Sequence, residues 1–180
     1  MKVLALLTLT ALALGAQTPA PSIAKIFDGQ LSAIERELVP LVEAMPEGRM
    51  SFAPTQGEFK GARTFAQQAT HSAAVVYAVC AAVLGEKNPT DMGSNENGPA
   101  SLKTKEDVVK YVRDAFTYGH KAMQTLTEKN LTEQVPSPFG QGKMARASAA
   151  SIAVWHSFDH YGQMAVYARM NGIIPPASRR

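Results

Sequence analysis

Two histidines four residues apart, His156 and His160, stand in the stretch Trp155-His-Ser-Phe-Asp-His-Tyr-Gly-Gln163. On a helix this spacing puts both imidazoles on one side, about 40° apart around the axis and about 6 Å along it. Their nitrogens can then face one metal ion. The same stripe continues through Ala149, Ile152, Gln163 and Tyr167, so the pair is expected to point inward. A pair of satisfied core histidines has the same spacing, and the rest of the chain must separate the two readings.

The chain holds two further histidines, His71 and His120. His71 opens an apolar helical run at its polar end, with Gln67 and Gln68 one turn before it and Ala74 and Val75 one turn after. Metal sites in helical bundles are built from side chains on facing helices. Three neutral imidazoles around a divalent ion, with a position or two left over, make a catalytic site rather than a closed structural one. The metal candidates are therefore His71, His156 and His160. His120 lies one step beyond Phe116 on its helix, either as a partner behind the ligands or as a half-exposed side chain beside Lys121.

Asp159 and Gln163 are the catalytic candidates. His-Ser-Phe-Asp-His resembles the inverted zinc-protease pattern H-x-x-E-H only if Asp replaces Glu, and no Asp or Glu follows residue 159 to complete such a ligand set. That reading fails. Asp159 is left as a carboxylate steadying a ligand histidine, a base acting through water, or a solvated helix residue. Gln163, one turn on, either holds water or substrate at a metal or hydrogen-bonds across the bundle. No phosphate-binding glycine loop, G-x-S-x-G elbow or C-x-x-C pair is present.

The elements that must position these residues are helices. Ser22 is a candidate N-cap for a first helix carrying Ile23, Phe27, Leu31, Ile34, Leu38, Leu41 and Met45 at helical period. Pro40 is expected to kink or split it. A second helix, about residues 58–84, is apolar nearly all round, with Gly85 as its C-terminal cap. A third opens at Thr104, with Asp107 in capping-box spacing, and runs to about Thr127. The fourth covers about residues 143–171, ended by Gly172 and Pro175-Pro176. No strand-like alternation stands out, and the connections 86–103 and 128–142 read as loops. Four long helices with two long connections predict an all-α four-helix bundle.

Residues 1–16 read as a secretory signal peptide: Lys2, the apolar run Val3–Leu14, then Gly15-Ala16 before Gln17. Residues 17–22 are a linker, and 23–180 form the bundle domain. The chain is then expected to be exported, periplasmic or extracellular, with no stable membrane insertion, because the run is short for a bilayer. The formal charge of +3, or +2 without Lys2, is weak and scattered, which argues against nucleic acid as a partner. The partners expected are a small-molecule substrate and a second copy in a homodimer. One cysteine, Cys80, leaves no internal disulfide, and a buried inert thiol is expected within its apolar run.

The stretch His156-Ser-Phe-Asp-His160-Tyr-Gly162-Gln163-Met-Ala-Val-Tyr167-Ala-Arg169-Met-Asn-Gly172-Ile-Ile-Pro175-Pro176 resembles the final-helix pattern of the DinB-like (YfiT-like) metalloenzymes. Phe52-Ala-Pro54 through His71 similarly resembles their connector and second helix. The resemblance implies an up-down-down-up bundle, and a divalent metal, commonly nickel or zinc, on His71, His156 and His160. Where many members carry His-His-Arg-Gly-Gln, this chain has Asp159-His160-Tyr161-Gly162-Gln163. Characterised members include transferases and isomerases that use cytoplasmic low-molecular-weight thiols, which an exported protein would not meet. The function expected is a metal-dependent hydrolase or transferase acting on a small molecule. The alternatives are a non-catalytic metal-binding or interaction protein and, more distantly, a thiol-dependent transferase or isomerase.

Overall fold

The computed structural model describes residues 20–179; the segment read as a signal peptide lies outside them. Four helices, α1 (Ile23–Ala44), α2 (Phe65–Leu84), α3 (Lys105–Met123) and α4 (Arg146–Met170), make an all-α bundle. Each main helix packs on two others: α1 on α3 and α4, and α2 on α3 and α4. Among the described residues no helix is long and apolar enough to cross a membrane.

Local chemistry sets the ends. The Ser22 hydroxyl accepts from Lys25 N at 3.3 Å at the start of α1. Thr64 caps α2 and Thr104 caps α3, each closed by a reciprocal bond from Gln67 or Asp107. Gly85 takes the left-handed conformation that ends α2, with φ 71°. The first amides of α2 are met by the connector before it: Phe65 N donates to Phe52 O at 2.8 Å and Ala66 N to Met50 O at 2.9 Å.

The second helix begins at Phe65 rather than near residue 58, because the Thr64 capping box nucleates it and residues 58–63 turn irregularly around Gly61. The third ends at Met123, short of Thr127. Pro40 does not split α1. Its fixed φ suits a helix, only the bond to the carbonyl four residues back is lost, and the buried neighbours Leu38, Val39, Leu41 and Val42 hold both sides. A two-stranded antiparallel hairpin also appears, β1 (Gln134–Pro136) with β2 (Lys143–Ala145), so α4 starts at Arg146 and not at 143. Three-residue strands are too short to show a period of two.

The directions of the helices can be followed in their side-chain pairs. Glu43 at the end of α1 meets Lys105 and Arg113 early in α3, while Asp28 and Glu35 meet His120 late in α3. Gln68 and Ser72, early in α2, meet Gln163 and Ser157 in α4, and the Arg146 guanidinium at the start of α4 donates to Val83 O at the end of α2. Contacts thus run in opposite order in both pairs. By contrast, Tyr77 of α2 stacks on Tyr111 and Tyr118 of α3, and Glu86 beyond α2 bonds Tyr118 and Lys121.

Phe65, Phe116, Leu31, Ile34, Leu38, Leu41, Met45, Met123 and Met164 are fully buried and fill the centre, each worth roughly 1.5–3 kcal/mol of transfer free energy. α2 and α4 pack together, with small buried residues on both, Ser72 and Ala73 on α2 and Ala149, Ala153 and Ser157 on α4. The Ser72 and Ser157 hydroxyls bond each other at 3.2 Å, and Ser157 also donates to Ala153 O at 2.8 Å. This close seam brings the second-helix histidine to the fourth-helix pair.

Candidate metal centre

His71 of α2 and His156 and His160 of α4 converge, with one nitrogen from each lying within 4.8 Å of the others. Ring centroids are 5.0 Å apart for His71–His156, 4.6 Å for His71–His160 and 4.4 Å for His156–His160. His71 and His160 are buried and His156 is half-buried. Among the described residues this is the only such cluster of candidate ligands.

Neighbouring groups fix which nitrogens face the centre. A carbonyl oxygen can only accept, so His71 Nδ1 carries the proton and donates to Glu96 O at 2.9 Å. Gln68 Nε2 donates to Gln163 Oε1 at 2.9 Å, which turns Gln68 Oε1 to accept from His160 Nδ1 at 2.5 Å. Both rings are left with a lone pair on Nε2. His156 Nε2 lies 3.1 Å from His160 Nε2, and His156 Nδ1 is buried with no hydrogen-bond partner.

Burial is the main cause that lowers the basicity of all three rings. His156 is brought down to about 4, with repulsion from His71 adding to burial. His160 falls to about 3, with His156 and His71 adding. His71 is lowered by burial despite its bond to Glu96, and the Arg63 guanidinium pushes every ring the same way. Neutral imidazoles at pH 7, two with lone pairs turned inward and one with a single proton to share, could hold a metal ion.

The loop over the site is a clasp. Gly93 and Gly98 close it, both at positive φ, and Gly98 N donates to Met92 O at 2.8 Å. A Cβ on Gly93 would stand 1.9 Å from Gly98 O, so only glycine permits the closure. Between them Asn95 (φ 54°) and Glu96 (φ 59°) are both left-handed, an arrangement costing on the order of 1 kcal/mol for each non-glycine residue. The strained backbone presents Asn95 O to Arg63 Nη2 at 2.8 Å and Glu96 O to His71, while Asn97 Oδ1 accepts from Arg63 Nε at 2.8 Å.

A family model described as the DinB superfamily matches residues 30–164. The chain belongs to the DinB superfamily. A DinB-like protein from Bacillus cereus ATCC 10987 is similar over 83% of this chain and 93% of its own, with 20% identity and a TM-score of 0.64. Another DinB-like protein, from Bacillus subtilis, is similar over 86% of this chain and 99% of its own, with 14% identity and the same TM-score of 0.64. At such identities these neighbours speak for the DinB-like fold. None of the curated proteins matches the chain.

Within this DinB-superfamily chain the remaining sequence candidates fall in different places. Gln163 is exposed, not inside the stripe, because the buried row of α4 passes from His160 to Met164, four residues on. Its Nε2 donates to Asp159 Oδ2 at 3.1 Å, and Asp159 is also exposed. Both connect to the centre through Gln68. His120 is elsewhere: Asp28 and Glu35 of α1 take its two nitrogens, at 2.6 and 2.9 Å. The sequence reading missed Arg63 and the clasp. For Gln68, the signal was its place one turn before His71.

Proposed function

We propose that this protein binds one divalent metal, nickel or zinc, through His71, His156 and His160 and is a hydrolase or transferase acting on a small molecule. The observation that carries the reading is the convergence of three neutral imidazoles, two with their Nε2 lone pairs fixed inward by Gln68 and by Glu96 O. Such an ion supplies Lewis acidity and lowers the pKa of water. The chain's own part is to orient the rings. Gln68 holds His160, the clasp holds His71, and the Ser72–Ser157 seam fixes the spacing of their helices.

Asp159 and Gln163 are assigned the catalytic end of this chain of bonds. The Asp159 carboxylate accepts from Gln163, and Gln163 accepts from Gln68, so a substrate group held at Gln163 is one side chain from His160 and one held at Asp159 is two. Export to the periplasm or medium is part of the proposal and rests on the Lys2, Val3–Leu14 and Gly15-Ala16 pattern. The order of helix pairs supports the up-down-down-up arrangement. A homodimer is supported by the exposed apolar side chains Trp155, Val166 and Met170 on α4.

Metal analysis of untagged protein tests the reading. Wild type is expected to carry about one equivalent of nickel or zinc, and alanine at any of the three histidines to remove most of it, because two ligands hold an ion weakly. His120→Ala is expected to keep it. Equal metal in wild type and His156→Ala would overturn the site.

A further inference from the structure

Beside the histidine cluster lies a pocket of about 520 Å³ whose polar side chains are Arg63, Gln67, Gln68, Asn95, Asn97 and Gln163. One cation and five carboxamides face it, and no carboxylate lines it. Gln68 and Gln163 are shared with the hydrogen-bond chain to His160, and Asn95 and Asn97 flank the residue that holds His71. The pocket and the metal centre therefore have a common wall.

Arg63 is half-buried there and makes no ion pair with any acidic group of the described residues. Its two protein bonds go to neutral oxygens, Asn97 Oδ1 and Asn95 O. A guanidinium offers five N–H donors, so three remain for a ligand. Two carboxylates stand next to the pocket and both are engaged elsewhere: Asp159 accepts from Gln163 Nε2 at 3.1 Å, and the Glu96 carboxylate lies towards His71 Nδ1 at 3.9 Å. The amide groups of Gln67 and Asn97 add donors, since Gln67 Oε1 is used by Thr64 N and Asn97 Oδ1 by Arg63, leaving each NH₂ unspent. A pocket with free donors, one cation without an ion pair and no carboxylate in its lining suits an oxyanion.

We propose that this pocket binds a carboxylate of the small-molecule substrate, gripped by the free guanidinium N–H groups of Arg63, so that the adjoining part of the molecule reaches the three-histidine centre. The chemical use of that placement rests on the metal reading above; the binding does not. The substrate class is a small organic acid. The fixed planar fork of Arg63, braced by the clasp, supplies orientation as well as attraction.

Calorimetric titration at low salt with succinate and with its uncharged counterpart succinamide tests this, using wild type and Arg63→Gln in nickel-loaded and metal-free forms. Succinate is expected to bind wild type about tenfold or more tightly than succinamide, the size expected of hydrogen bonds to a charged group. Arg63→Gln is expected to lose that preference, and Arg63→Lys to keep part of it, since the charge survives without the fork. Melting temperature and nickel content report separately on fold and metal. If Arg63→Gln also loses nickel through a loosened clasp, the metal-free comparison decides.

Equal succinate affinity in wild type and Arg63→Gln, or no preference for succinate in wild type, overturns the carboxylate site. Wild type that takes no nickel yet keeps an Arg63-dependent preference retires the metal reading and leaves the carboxylate site standing. Nickel bound at the histidines without that preference does the reverse.

Discussion

Gln68 Oε1 accepts from His160 Nδ1 at 2.5 Å across the seam between α2 and α4. One turn of α2 before His71, this glutamine fixes the tautomer of a histidine on another helix. It can do so because its own amide is turned by Gln163. Metal-ligating histidines depend on such partners for ring orientation.

Gln68→Leu should therefore weaken nickel binding about 10–100-fold while all three histidines remain. Calorimetry on wild type and variant checks this. Unchanged affinity would show that packing alone holds the His160 ring.

Gly93→Ala probes the clasp from a distance. The new Cβ would overlap Gly98 O, and the backbone is left-handed there, so the loop must open and withdraw Glu96 O from His71. The expected result is weaker nickel binding and a stability loss of about 1–3 kcal/mol, read by titration and denaturant melts. A variant that binds nickel like wild type would mean the clasp does not set His71.

Metal-free protein should respond to pH through two groups of opposite sign. The cluster rings have folded values of about 4 for His156 and about 3 for His160, below the ordinary 6.5. The unfolded chain then binds more protons, and stability falls as pH drops from about 6.5 towards those values. His120 behaves in the other sense. Burial works against its charge, but the hydrogen bonds and charges of Glu35 and Asp28 outweigh that and raise it. Its contribution is complete below 6.5 and disappears as pH rises through its raised folded value. Melts against pH should show that His120→Gln removes the alkaline loss and leaves the acid one.

Cys80 is fully buried and its thiol is pushed up to about 12 by burial. It should label slowly with a thiol reagent in native protein and quickly in denaturant. Fast native labelling would reveal an opening of α2 that the packed core does not suggest.

The helices and the three-histidine convergence were legible because both depend on local period and on residue type: His156 and His160 share a face by spacing, and α2 is apolar all round because it is buried all round. Thr64 was harder to find, since the helix pattern in 58–63 resembles its continuation until the capping box is recognised. Arg63, Asn95 and Asn97 were not legible as a group. Asn95 and Asn97 stand 32 and 34 positions from Arg63, with the whole of α2 between, and meet it only after the clasp closes through two glycines and two strained residues, and nothing in local pattern announces such a tertiary pairing. Gln163 was misplaced by one face because a residue three positions beyond His160 lies about 60° from it on a helix, where the residue four beyond lies about 40° away on the other side.

The seam between α2 and α4 also bears on the order of folding. Its two sides are separated by the clasp loop, the whole of α3 and the hairpin, so a cation site spanning it cannot exist in any local fragment. Closing so long a loop costs entropy before the contacts return it. An ion that needs both sides in place can be captured only once that loop has closed. Where that closure limits folding, the proposed ion would slow unfolding while leaving the folding rate nearly unchanged, a kinetic lock on the bundle.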